Sequence, residues 1–243
     1  MVRKVLVSLA AGAVAVGIAI SIPWAGASQT LRSAGPAYEP VLDPGNFVSV
    51  IDNRYYPLPV GRKLVYRGVR DGLTQVDTVI VTNRTRVVEG ITATVVSDIA
   101  THRGTLLEKT FDWFAQDKQG NVWYMGENTK AYNPDGTVDT SGSWEAGVND
   151  AEPGIIMEAN PRVPDAYRQE FLAGEAEDTA WIVDRGGKVT VPYGAVYHVL
   201  TSLEATRVEP GSYDQKVYAP GIGIVTEHSL TGDETSRLVR VRN

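Results

Sequence analysis

A period of two in the placement of apolar side chains limits the possible folds of this chain more than any other feature. From residue 62 onward, Leu64 and Tyr66 alternate with Lys63, Val65 and Arg67, and comparable alternation recurs along most of the chain. Such a period places successive side chains on opposite faces of a β-strand. Gly-containing turns, rather than helical patterns, join these stretches. The sequence therefore predicts an all-β fold, an antiparallel meander forming a curved sheet or a closed barrel.

One segment is compatible with a short helix as well as with a strand. Between Asp165 and Leu172, Tyr167 and Phe171 are four residues apart, as on one face of a helix. The same two aromatic residues also alternate with Arg168 and Glu170, as in a strand. Both conformations stay open at this point.

The first 27 residues have the pattern of a secretory signal peptide. Arg3 and Lys4 precede an uncharged apolar run from Val5 to Ile22, and Ala25-Gly26-Ala27 matches a small-residue cleavage site. We expect cleavage after Ala27, and hence a secreted or extracytoplasmic protein with no stable membrane span. Because the apolar run is almost long enough to cross a bilayer, an uncleaved anchor is the alternative.

The remaining chain is expected to comprise a flexible leader over residues 28–50 and a single β domain over residues 51–243. Removal of the signal peptide would leave 21 basic against 29 acidic side chains, a net charge of −8. This charge argues against a nucleic-acid partner, since phosphate binding needs clustered positive charge. The chain has no Cys, which excludes disulfides and Cys-based metal sites. We expect neither a metal site nor a cofactor.

Regular alternation stops after Thr129 and resumes only near Asp165. Three prolines, from Pro153 to Pro164, argue against a long helix or a central strand there. We therefore expect an ordered loop of roughly 35 residues, a length that is usually functional when it is ordered. The large aromatic Trp144 in otherwise small, polar sequence supports an ordered loop.

Carboxylates crowd into this loop and the segment that follows it. They are Glu145, Glu152, Glu158, Glu170, Glu175, Glu177 and Asp178. Two more, Asp112 and Glu127, lie among the aromatic residues of a predicted hairpin over residues 106–127. Paired carboxylates beside aromatic rings are the acid and base of glycosidases. The candidate catalytic residues are thus Asp112, Glu127, Glu145, Glu158 and Glu170, with a solvated acidic face as the ordinary alternative.

Aromatic side chains supply candidate ligand contacts. Sugars stack on such rings and lipids pack between them, although the same residues also dominate ordinary cores. A neighbouring Arg could hold a ligand carboxylate with two hydrogen bonds or form a structural ion pair. The candidate ligand-binding residues are Trp113, Trp123, Tyr124, Trp144, Tyr167 and Arg168.

Two segments carry a resemblance to known proteins. PLPVGRKLVYRG (residues 57–68) resembles the strand that opens the sheet in many exported bacterial proteins, and KVYAPGIGIV (residues 216–225) resembles the turn that re-enters the sheet near the end. Between them, FDWFAQDKQGNVWYMGE (residues 111–127) is similar to a family of secreted bacterial β-sheet proteins without an assigned activity. The resemblance implies an extracytoplasmic location and a curved sheet. Some exported half-barrels, the LolA-like ones, hold lipophilic ligands in the concave face.

Three functions follow as hypotheses. The first is a non-catalytic secreted domain that binds an apolar or amphipathic ligand, such as a lipid or glycan, or a cell-envelope component, in the concavity of its sheet, with residues 144–174 covering the opening. The second is an extracytoplasmic carbohydrate-active enzyme that uses paired carboxylates. The third is a structural or partner-binding envelope domain.

Overall fold

The computed structural model describes residues 38–243, so the predicted signal peptide and the beginning of the predicted leader lie outside the described residues. The described chain is almost entirely β-structure, with one 3-10 helix at Pro44–Asn46. The strands are β1 (Phe47–Val48), β2 (Lys63–Arg70), β3 (Leu73–Val88), β4 (Ile91–His102), β5 (Thr105–Asp117), β6 (Val122–Tyr132), β7 (Val138–Asp139), β8 (Trp144–Glu145), β9 (Glu152–Met157), β10 (Ala166–Arg168), β11 (Glu170–Phe171), β12 (Asp178–Arg185), β13 (Lys188–Val191), β14 (Gly194–Tyr197), β15 (Leu200–Thr206), β16 (Tyr213–Ala219), β17 (Gly223–Ser229) and β18 (Thr235–Arg242).

Sixteen of these strands form one antiparallel sheet, which confirms the predicted fold class. Strands β2 to β6 follow one another as a meander, as do β15 to β18, and β18 pairs with β2 to join the two halves. Tight turns with positive φ at Asp71-Gly72 and Glu89-Gly90 connect the first hairpins. These are the conformations that short hairpin turns require and that Gly adopts without strain.

The two ends of the sheet meet at residues 166–171. Strand β10 pairs with β12 at one end of the path, and β11, one residue later, pairs with β9 at the other end. The sheet is therefore a nearly closed barrel. We call residues 166–171 the seam. The helix considered for residues 165–172 is wrong, because these residues complete the hydrogen bonding of two strand edges instead.

The predicted long loop is in fact partly strand. It contains β7, β8 and β9, and β9 lies between β6 and β11 although it contains Pro153. The expectation that proline excludes a central strand was wrong here. Pro153 is the second residue of β9, and the pairing with β6 begins only at Gly154. The missing N–H therefore falls outside the β6 ladder.

Residues 51–58 close one end of the barrel, and we call them the plug. Ile51, Tyr55 and Tyr56 are buried within it. The side chain of Gln116, at the end of β5, accepts hydrogen bonds from the backbone N–H groups of residues 52 and 53, each at 2.9 Å. The Tyr55 hydroxyl donates to the backbone carbonyl of His198 at 3.2 Å. The plug thus ties together strands that are distant in sequence.

No helix among residues 38–243 is long and apolar enough to cross a membrane.

Candidate functional site

The interior of the barrel changes from apolar to acidic with distance from the plug. On β5, Phe114 lies nearest the plug, and Asp112 and then Glu108 follow on the same face. On β15, Leu200 comes first and Glu204 lies deeper. Side chains two residues apart share a face of a strand, so each interior row passes from apolar to charged residues.

The apolar part is an interlocked set of aromatic rings, which we call the aromatic layer: Tyr56, Phe114, Tyr124 and Trp144. Ring centroids are 5.3 Å apart for Tyr56 and Phe114, 5.0 Å for Phe114 and Tyr124, and 5.1 Å for Tyr124 and Trp144. Stacked and edge-on pairs at these separations are favourable.

Beside this layer, Tyr56, Tyr66 and Ile222 line a cavity of about 20 Å³, which is room for one water molecule.

The acidic part contains eight buried carboxylates, which we call the acidic layer. Its members are Asp77, Asp98, Glu108, Asp112, Glu127, Glu170, Asp178 and Glu204. They come from seven different strands around the wall. Among residues 38–243, Lys216 is the only buried Lys or Arg, and its Nζ lies 2.7 Å from a Glu204 oxygen. The interior is therefore strongly short of positive charge.

A hydrogen bond joins the two layers. The Tyr124 hydroxyl donates to Asp112 Oδ1 at 2.9 Å, with both side chains buried. Asp112 is in turn the register partner of Glu127 on β6. A molecule that contacts the aromatic rings at this point would also reach carboxylates.

Burial changes the protonation of the acidic layer. It raises the pKa of Asp77 to about 6 and that of Asp178 to about 8, since an ionised carboxylate loses hydration there. Burial raises the pKa of Asp98, Glu127 and Glu170 well above the usual range, and neighbouring carboxylates raise it further. At neutral pH part of the layer therefore holds protons.

Several polar atoms of this region have no hydrogen-bond partner among the described residues. They include both carboxylate oxygens of Asp98 and of Glu170, one oxygen each of Glu127 and Asp178, and the amide nitrogen of Gln169. The indole N–H of Trp144 is near enough to Glu170 to lower its pKa, yet it completes no hydrogen bond. Buried polar groups nearly always have partners, and each one that lacks a partner costs about 1–3 kcal/mol.

Three of the five candidate catalytic residues come together in this interior. Asp112, Glu127 and Glu170 are buried, and after the larger effect of burial Asp112 raises the pKa of both Glu127 and Glu170, while Glu170 also raises that of Glu127. Glu145 lies outside, in an ion pair with Arg86. Glu158 is also separate, and burial together with the nearby Asp165 carboxylate raises its pKa to about 7.

The candidate ligand-binding residues divide in the same way. Tyr124 and Trp144 belong to the aromatic layer, and the Tyr167 hydroxyl is buried near Glu204, which contributes to raising its pKa after the larger effect of burial. By contrast, Trp113 and Trp123 lie on the outer face of their strands. The Arg86 guanidinium covers the Trp113 ring at 4.1 Å, and the Trp123 indole donates to Asp117 at 2.9 Å.

Arg168 also lies outside, where its guanidinium stacks on Tyr38 and Phe171 at 5.3 and 4.7 Å from the ring centroids. Six charged members of this interior were not among the candidate residues: Asp77, Asp98, Glu108, Asp178, Glu204 and Lys216. The available signal was the alternation itself. Asp77 shares a strand face with Val79 and Val81, and Lys216 shares one with Tyr218.

Metal binding finds no geometric support within the described part of the chain. No three His, Cys, Asp or Glu side chains of residues 38–243 are arranged to hold a metal ion. The carboxylates are spread around the wall instead of converging on one point. The expectation of no metal site stays a prediction.

No protein-family model matches the chain, and no curated protein matches it in sequence. Two solved structures are similar. One is a presumed exported protein of Bacteroides fragilis with a YmcC-like fold, with a TM-score of 0.44 and 17% identity, and the other is a presumed lipoprotein of Parabacteroides distasonis, with a TM-score of 0.40 and 15% identity. Each alignment covers 79% of this chain and 100% of the other. Likeness at this distance does not bear on function.

Proposed function

We propose that this chain is a non-catalytic extracytoplasmic domain that binds an amphipathic ligand inside its barrel. The ligand's apolar part packs against the aromatic layer and its polar part lies among the acidic layer after the barrel has opened, because the cavity of about 20 Å³ beside the rings has room for only one water molecule. The signal-peptide pattern of residues 1–27 supports the location. The domain boundaries at residues 28–50 and 51–243 are part of the same proposal.

The observation that carries the proposal is a set of buried, unpartnered polar groups directly beside packed aromatic rings. Glu170 and Trp144 illustrate it, since an acceptor and a donor lie close together and neither completes a hydrogen bond. A collapsed, dry interior would pair such groups, because each unpaired one is destabilising. An occupant with both apolar and polar parts satisfies the two layers at once.

The seam is the proposed route into the interior. It is held by three register pairs to β12 and by two to β9, compared with eight between β2 and β3. Short strand contacts open at low free energy, and mobile elements are drawn from such regions. The seam therefore takes the covering role that residues 144–174 as a whole were expected to have.

The first test is native mass spectrometry of the protein purified without detergent from its secreting host. A reproducible extra mass is the expected result. The second test is titration with dodecyl-chain amphiphiles, comparing Trp144→Phe in the aromatic layer with Trp181→Phe on the outer face. Trp144→Phe should weaken binding several-fold and Trp181→Phe should leave it unchanged. A bare mass together with no binding of any amphiphile contradicts the proposal.

A second candidate function is acid–base catalysis on a carbohydrate. The nearness of Asp112 and Glu170 to Glu127, with raised pKa values for Glu127 and Glu170, favours it. All three side chains are at most 2% exposed, which favours binding over the cleavage of a polymer. Hydrolysis of a soluble glycan by the wild type, lost in Glu127→Gln and kept in Glu145→Gln, would establish the enzyme instead.

An envelope domain that binds a partner protein is the remaining hypothesis. The outer face of β12 exposes Trp181 and Val183. Loss of a partner on Trp181→Ala, without any ligand in the interior, would favour this function.

A further inference from the structure

The acidic layer has more carboxyl groups than cationic groups. Asp98, Glu127, Glu170 and Asp178 each have at least one buried oxygen without a hydrogen-bond partner among the described residues, and Lys216 is the only buried Lys or Arg of residues 38–243. Lys216 is already engaged, because its Nζ lies 2.7 Å from Glu204 and 3.9 Å from Glu227. Taking an unpaired charge out of water is strongly unfavourable, so buried carboxylates require a proton, a donor or a counter-charge.

The buried cation is thus unavailable to an anionic ligand. Arg168, a residue of the seam, stacks on Tyr38 and Phe171 on the outer face. A fatty acid or a phospholipid phosphate placed in the acidic layer would meet carboxyl oxygens and, for those that are ionised, like charges. This arrangement disfavours an anion as the polar part of the ligand.

Two buried polar side chains other than carboxylates, Gln169 and Trp144, also have atoms without hydrogen-bond partners among the described residues. The Gln169 amide is buried, and neither its nitrogen nor its oxygen has a partner among the described residues. The indole of Trp144 stands edge-on to Tyr124 with its N–H towards Glu170. Unpaired donors and acceptors side by side indicate that a further polar molecule belongs between them. Aromatic faces at the same place also attract organic cations.

We propose that the polar part of the ligand is an organic cation with N–H donors, an ammonium or guanidinium group, held by Glu127, Glu170 and Asp178. These carboxylates lie on β6, β11 and β12, beside the seam. Their spread suits several N–H donors directed to different oxygens, in contrast to the convergent oxygens that a hard metal ion needs. The inference rests on the proposed function, since it names the chemistry of the ligand at the same site.

Protonation affects this site through groups on every strand around it. Glu170 faces Asp178 on β12, Lys216 on β16, Trp144 on β8 and Asp112 on β5. Glu127 faces the carboxylates of Asp112, Glu170, Glu108 and Asp178. A bound cation favours the ionised forms, so its affinity should rise as the pH increases from 5 to 8, while that of a neutral amphiphile should not.

The experiment compares three probes of equal chain length on the wild-type domain: dodecylamine, dodecyl maltoside and dodecanoate. Isothermal titration calorimetry at pH 8 should give dodecylamine the lowest dissociation constant, with dodecanoate at least about tenfold weaker. Equal or tighter binding of dodecanoate overturns the inference and leaves the proposed function standing. Binding of none of the three overturns both. Because the probes differ only in the head group, the comparison needs no substitution.

Glu170→Gln then locates the site, with Glu145→Gln on the outer face as its control. Glu170→Gln should weaken the binding of dodecylamine roughly tenfold, because it removes the negative charge from one hydrogen bond to the ammonium group. It should leave the binding of dodecyl maltoside unchanged. Equal weakening of both probes, or weakening by Glu145→Gln, contradicts the assignment. If Glu170→Gln does not fold, Glu127→Gln replaces it, with the same expected pattern.

Discussion

Lys216 and Glu204 form an ion pair of 2.7 Å in which neither side chain is more than 2% exposed. They lie on adjacent strands, β16 and β15, and Ser202 also donates to Glu204 at 2.8 Å. The pair compensates part of the charge of the acidic layer. The pair also fixes which faces of β15 and β16 point inward. A register shift of one residue in either strand would expose one charged group and leave the other buried without its partner.

Lys216→Met should therefore lower the free energy of unfolding by about 3–5 kcal/mol, since it leaves Glu204 buried without its counter-charge. Urea unfolding followed by circular dichroism measures the change. Adding Glu204→Gln to Lys216→Met should recover part of the loss. Arg207→Met is the matched control, because the Arg207 side chain is 77% exposed and its pair with Glu177 is worth at most about 1 kcal/mol. Equal effects of Lys216→Met and Arg207→Met would contradict this account.

The unliganded domain should be less stable at pH 8 than at pH 5. Carboxyl groups with a folded-state pKa above the unfolded value bind more protons when folded, so their stabilisation is present at low pH and is lost as the pH rises towards the folded pKa. The windows run from about 4 to 6 for Asp77 and from about 4 to 8 for Asp178. A pKa of about 6 for Asp77, against an ordinary value near 4, corresponds to roughly 3 kcal/mol of stability.

Thermal unfolding at half-unit steps of pH tests this dependence. Asp178→Asn should flatten the slope between pH 5 and 8, and Asp233→Asn on an exposed turn should not. A melting temperature that rises with pH over this range would disprove it.

Gly154→Ala should disrupt the seam. A Cβ at this position would lie 2.2 Å from the backbone carbonyl carbon of Gln169, and backbone atoms cannot move aside cheaply. We expect a loss of 2 kcal/mol or more, in the range of overpacking. Hydrogen exchange should increase first at residues 152–157 and 166–171. Gly232→Ala is the control, since its Cβ would meet only the Ser229 side chain, at 3.3 Å. Unchanged exchange at the seam in Gly154→Ala would refute the prediction.

A disulfide across the seam should slow ligand exchange. Ala166 and Trp181 are register partners of β10 and β12, and directly opposed strand residues come close enough to be linked. The chain has no other Cys, so Ala166→Cys with Trp181→Cys gives a single possible bridge. Stopped-flow uptake of dodecylamine should be slower in the oxidised form and recover on reduction. Equal uptake rates in the oxidised and reduced forms would show that the ligand does not enter through the seam.

The strands and turns of this fold can largely be predicted from the sequence, because the alternation of apolar residues and the residue preferences of turns are local. The interior row of β5, with Asp112 and Phe114 on one face, follows from alternation alone. The two-residue turns at Asp71-Gly72 and Glu89-Gly90 follow from the positive φ that Gly tolerates. Strands β7 to β9 were missed because each is short and owes its conformation to pairing with β6.

Which side chains are buried inside the barrel cannot be predicted in the same way. Alternation separates two faces of a strand but does not say which face is covered. Asp98 and Glu204 therefore suit a solvated face as well as a buried one. Only closure of the sheet at the seam puts these carboxylates inside, and closure depends on contacts between residues 152–157 and 166–185, which no local pattern encodes.

The pairing of β2 with β18 constrains when the barrel can close during synthesis and folding. The first long strand must wait for β18, since the partner of Lys63 is Arg242. Contacts of such sequence separation slow folding. The acidic interior therefore cannot be sealed before β18 has been synthesised, and loss of β18 would leave an unpaired edge along β2, open to other chains.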